Sequence, residues 1–227
     1  MFIPTLTTKD LMSYVTRQLN NMFPDKLIRT NDKLFIRSMN EALERTEYCF
    51  KHVAMKSYHV EGTTFFSHLH ADQYTIFLWF LSNASWKIFE DVDVSSKLFY
   101  LNKAINGVIS MYDANLPDIF LIIHGGNVVL GKATYNDFFV CYQGSTVGAI
   151  EGKYPTLGKG VAMAPHSSII GPCIVGDRVT LGNQSLLRNR NLKSDTLYYR
   201  HIETGQHVTQ QTEEFWAQTF FNVPIFK

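Results

Sequence analysis

Eight histidines are spread along the chain, and only two, His124 and His166, fall within residues 111–200. A neutral imidazole within reach of a hydroxyl can take its proton as the oxygen attacks an acyl group. A zinc site for hydration chemistry would need a close pair such as H-x4-H plus a distant third histidine. His124 and His166 form no such pair, so zinc hydration chemistry is rejected. In the first half, "HLHADQY" gathers His68, His70 and Asp72 near an expected helix start. An acidic side chain in a helix's first turn is favoured by the helix dipole, which accounts for Asp72 without a chemical role. Cys49, Cys141 and Cys173 show no CxxC or other metal spacing. Their odd number and lack of a framework point to a reducing compartment.

These residues are carried by two kinds of sequence. The stretch "GVAMAPHSSIIGPCIVGDRVTLGNQS" (160–185) follows neither a helical period nor strand alternation. Counting by six gives Leu157, Met163, Ile169, Val175, Leu181 and Leu187, all aliphatic. Counting from four residues later gives Val161, Ser167, Cys173, Val179 and Ser185, all small or medium-sized. A six-residue repeat predicts a parallel β-helix of triangular coils, each about 18 residues long, with the aliphatic side chain pointing inward. Gly158, Gly171, Gly176 and Gly182 fall near its corners, where the lack of a Cβ relieves strain. The beat is less regular at first (Val129, Tyr135, Cys141, Val147), and "GAIEGKYPT" interrupts it as a loop ejected from one corner. Residues 1–110 instead carry helical stripes, such as Leu34, Ile36, Met39, Ala42 and Leu43. Thr8 or Asp10 can cap the first helix. The fold class is therefore α+β. An α-helical domain (1–110) is followed by a parallel β-helix domain (111–200) and a C-terminal extension (201–227). The extension's aromatic cluster "FWAQTFF" must bury itself on its own prism or on a neighbouring subunit.

A net charge of +1 gives no basic face for nucleic acid. "MFIPTLTTKDLMSYV" lacks the basic and apolar regions of a signal peptide. The most apolar segment, "YTIFLWFLSNASW", is too short to span a bilayer and reads as a buried helix. A cytoplasmic protein is expected.

The helical first half, the hexapeptide repeat and the ejected loop together resemble serine acetyltransferase and its hexapeptide acyltransferase relatives, whose β-helix is left-handed. "HGGNVVLGKATYNDFFVCYQGSTVG" (124–148) is similar to the family's segment of a His, a glycine-bearing link, a further coil and then Gln-x-x-Thr-Val-Gly. "KYPTLGKGV" (153–161) resembles the family's basic-His-Pro segment. The likeness in detail covers about residues 112–187. It implies acetyl-CoA as co-substrate, no metal, and His124 as the general base. The family's orienting carboxylate lies upstream of this histidine. Here "MYDANLPDIFLIIH" is shortened, which leaves Asp113 or, in second place, Asp118. Coenzyme A contacts are implied at Gly148, Ala149, Ala164 and Gly171, with Lys153 near a phosphate. Asp72 is implied as an acceptor contact, as is Tyr154. The family also implies a homotrimer or a dimer of trimers with sites between subunits.

Two departures bear on the acceptor. The serine enzymes carry Asp before the histidine and a second His in the loop, where this chain has Ile123 and Tyr154. Losing an anion beside an ammonium group removes a charge-assisted hydrogen bond worth about 1.5–3 kcal/mol. Relatives with such LPDIF and YQ-x-x-TVG segments are linked to surface-polysaccharide gene sets. The expected function is therefore acetyl transfer to a sugar hydroxyl. Serine acetylation and a non-catalytic assembly module are the alternatives.

Overall fold

In the computed structural model, which describes residues 1–225, the first half is built from β1 (Phe2–Pro4), α1 (Thr8–Met22), α2 (Lys33–Phe50), β2 (His59–Val60), β3 (Thr63–Phe66), α3 (Ala71–Phe89) and α4 (Val92–Asn106). Side-chain caps start three of the four helices. Thr7, rather than Thr8 or Asp10, caps α1 by accepting from the Asp10 amide. Asp32 caps α2 and Asp91 caps α4 in the same manner. The buried stripe of α2 runs through Phe35, Met39, Ala42, Leu43, Cys49 and Phe50, while Leu34 faces solvent. The apolar segment is α3, and it is buried on nearly every side because it lies between α2, α4 and the first strands of the β-helix. Among the described residues, no helix is long and apolar enough to cross a membrane.

The β-helix follows as β4 (Val108–Ile109), β5 (Phe120–Ile123), β6 (Val128–Leu130), β7 (Phe139–Tyr142), β8 (Thr146–Gly148), β9 (Thr156–Leu157), β10 (Ala162–Met163), β11 (Ser168–Ile170), β12 (Ile174–Val175), β13 (Thr180–Leu181), β14 (Leu186–Arg188), β15 (Thr196–Arg200) and β16 (His207–Gln211). The first face stacks β5, β7, β10, β13 and β15 in parallel, and β16 joins it antiparallel. The second face stacks β4, β6, β8, β11 and β14. The third pairs β9 with β12 and is extended by bridges at Thr134–Thr156 and Val175–Leu192.

The six-residue beat holds where it is regular. Leu157, Met163, Ile169, Val175, Leu181 and Leu187 are all buried, as are Val161, Ser167, Cys173, Val179 and Ser185. Each fully buried aliphatic contributes about 1.5–3 kcal/mol. The frame fails in the first coil. Register pairs Leu130 with Val147, so alternation points Val128 and Leu130 inward and turns Val129 outward. The corners use left-handed backbone, with Phe138, Gly160, Arg178 and Asp195 following one another along the corner that enters the first face. Arg178 donates to both Asp195 oxygens there, at 2.6 and 2.9 Å.

The C-terminal extension folds back on its own prism. Trp216 stacks on Tyr142 with centroids 4.9 Å apart, and its amide donates to Thr180 Oγ1 at 3.3 Å. Phe221 packs on Phe138, and the Ala54 amide donates to the Phe220 carbonyl at 2.8 Å. The extension thus ties the helical half to the first face.

Candidate functional site

β5 is buried along its whole length because α3 packs over it and pairing with β7 covers its edge. Trp79 and Phe80 meet Phe120 edge to face, and the Cys49 thiol donates to the Phe120 carbonyl at 3.2 Å. Burial pushes that thiol up to about 12. The strand ends on Ile123, which is 5% exposed. The next residue, His124, takes a left-handed conformation at φ 52° and puts its side chain out, 74% exposed. Histidine is among the residues that tolerate this region, and other corners of the helix also adopt it.

The partner of this turn is the N-terminus of α3. Gln73 braces it by accepting from the Ser67 amide at 2.6 Å and donating to the Ser57 carbonyl at 2.9 Å. Asp72 stands in the first turn, its side chain 13% exposed. Its Oδ1 accepts from the Gly125 amide at 3.3 Å, and its Oδ2 lies 4.0 Å from His124 Nδ1. His70, Ala71, Asp72, His124 and Gly125 line a cleft of about 310 Å³. Tyr142 meets the His124 ring edge to face with centroids 5.8 Å apart, and Trp216 stacks on Tyr142. Partial burial, and then the Asp72 charge, raise the Tyr142 phenol above its ordinary range. Burial followed by the same charge raises Tyr58.

The carboxylates expected to orient His124 are engaged elsewhere. Asp113 pairs with Lys132 at 2.9 Å, and Asp118 lies 3.9 Å from Arg45. The cause is topological. Asp113 follows β4 and so sits at the corner leaving the second face, whereas His124 leaves the first. Gly148, Ala149, Lys153, Tyr154 and Gly171 share the corner of Asp113, and Ala164 shares that of His124. Lys153 and Tyr154 stand exposed on the ejected loop. Gly171 has φ 85°, and a Cβ there would run into Asn189 Oδ1. His166 is exposed on the first corner, two coils beyond His124. The contributions of Gly125, Tyr142 and Trp216 were not read from the sequence. Only the polar cluster in "HLHADQY" signalled this end of α3.

No protein-family model matches the chain, and no curated protein matches it. Solved structures do. It is similar to serine acetyltransferase from Neisseria gonorrhoeae at 13% identity, over 92% of this chain and 82% of that one, with a TM-score of 0.68. Serine acetyltransferase from Brucella abortus gives 14% identity over 90% and 84%, with a TM-score of 0.66. The soybean serine acetyltransferase apoenzyme gives 15% over 87% and 83%, with a TM-score of 0.62. The chain has the serine acetyltransferase fold. At these coverages the likeness extends into the helical half as well as the β-helix.

Proposed function

We propose that this chain is an acetyl-CoA-dependent O-acetyltransferase in which His124 is the general base. The observation that carries the reading is the exposed His124 imidazole at the rim of a cleft, faced by the Asp72 carboxylate, on this fold. His124 takes the acceptor's hydroxyl proton as that oxygen adds to the thioester carbonyl. It returns the proton to sulfur as the carbon–sulfur bond breaks, which leaves an acetyl ester and free coenzyme A.

L-Serine is the leading acceptor. The structural neighbours are serine acetyltransferases. The sequence-based preference for a sugar rested on Ile123 and Tyr154 in place of the family's Asp and His, and on the LPDIF and YQ-x-x-TVG segments. Ile123 is packed in the core and does not line the cleft at His124, so it does not shape an acceptor pocket there. A sugar hydroxyl is retained as a second reading because an aromatic wall, Tyr142 backed by Trp216, adjoins His124. Thiol release from acetyl-CoA, measured as kcat/KM across L-serine and a panel of free, nucleotide-linked and polymeric sugars, decides between them. Preference for L-serine supports the first reading, and preference for a glycan supports the second. No release with any acceptor contradicts both.

The two corners belong to one site only if copies assemble. In the proposed trimer, the corner carrying Gly148, Ala149, Lys153, Tyr154 and Gly171 meets the His124 corner of a neighbour and forms the coenzyme A groove. In a dimer of trimers, the helical halves would join two such trimers. A cytoplasmic location fits the three free, buried cysteines.

A further inference from the structure

We infer that Asp72, from the helical half, is the positioning residue that holds the His124 ring, in place of a carboxylate upstream of the histidine. The inference rests on the acetyltransferase reading above and assigns one of its parts. One carboxylate bonds the backbone of the turn and faces its ring. Oδ1 accepts from the amide of Gly125, the residue directly after His124, and Oδ2 faces His124 Nδ1 at 4.0 Å. The Asp72 side chain is 13% exposed and held in the first turn of α3. The braces on Gln73 keep that turn from shifting.

The competing carboxylates, Asp113 and Asp118, have cationic partners of their own. His124 is 74% exposed, so packing alone does not set its ring. With Nδ1–H aimed at Oδ2, Nε2 is left unprotonated and free to face the acceptor. The 4.0 Å separation exceeds a hydrogen bond by about 1 Å. Catalytic hydrogen bonds are often long without substrate and tighten in the Michaelis complex.

The test uses the full-length protein with histidine nitrogens labelled. The His124 signals are assigned with His124→Gln, and spectra are taken near about pH 8, where an ordinary imidazole is neutral. Wild-type protein is expected to show His124 as the Nδ1–H tautomer, and Asp72→Asn to show a mixture. Asp72→Asn is expected to lower kcat by roughly 10²-fold, with the acceptor KM changed less than about threefold. An Nε2–H tautomer in the wild type overturns the inference even if the variant does not fold. So does an unchanged tautomer in Asp72→Asn, or a variant whose KM rises while kcat holds, which would make Asp72 an acceptor contact. The tautomer is read without turnover. A protein that acetylates nothing would sink the functional reading while the Asp72–His124 pairing is still decided.

Discussion

Ile123 and His124 are neighbours in sequence and opposites in environment. The first ends a strand inside the core, and the second begins a left-handed turn outside it. An acidic residue at 123 would therefore be pushed into an apolar interior. Ile123→Asp is expected to destabilise the fold by about 3 kcal/mol or more, since a carboxylate there loses its hydration. Denaturant unfolding measures it. Unchanged stability with a gain in serine preference would show that position 123 faces the acceptor after all. The pairing of Asp72 with His124 could not be read from the sequence. Fifty-two residues separate the two, and their meeting depends on how α3 docks against β5. What the resemblance implied was a general base at His124 and an acceptor contact at Asp72, not a pair.

At the scale of elements, the hexapeptide beat was readable because one inward position recurs every six residues from Leu157 to Leu187, and all of these positions are buried. It misled in the first coil, where Val129 and Leu130 are both aliphatic and only the strand register selects Leu130. Leu130→Ala is expected to cost about 2–5 kcal/mol, and Val129→Ala less than about 1 kcal/mol. Equal losses, measured by chemical denaturation, would contradict the register. The extension's aromatic cluster was legible as something needing cover. Which surface it covers was not, because Trp216 finds Tyr142 through a turn that has no repeat to follow. The location of the Asp113 pair was hidden for a similar reason. The sequence places Asp113 eleven residues before His124 but does not show that the two leave different faces.

At the scale of the whole molecule, assembly and alkaline stability are open to measurement. Light scattering at micromolar concentration should give a trimer or a multiple of one, and a monomer would contradict the shared groove. Cys49 is buried, with its thiol raised to about 12 from an ordinary value of 9.0. Between those values the unfolded chain releases this proton and the folded chain keeps it, so unfolding binds fewer protons and stability falls as pH rises. The melting temperature should therefore decline from about pH 9 upward. A flat profile there would contradict the burial of the thiol. The three cysteines should also resist a thiol reagent in the native protein and react once it is unfolded.

The central claim is that acetyl transfer to a hydroxyl runs through the His124 imidazole. Its most direct test is the steady-state rate of thiol release from acetyl-CoA, with the preferred acceptor, for wild-type protein and His124→Ala, alongside coenzyme A affinity by calorimetry. The expected result is a fall in turnover of roughly 10²–10⁴-fold with coenzyme A affinity nearly unchanged. Near-normal turnover in His124→Ala would contradict it.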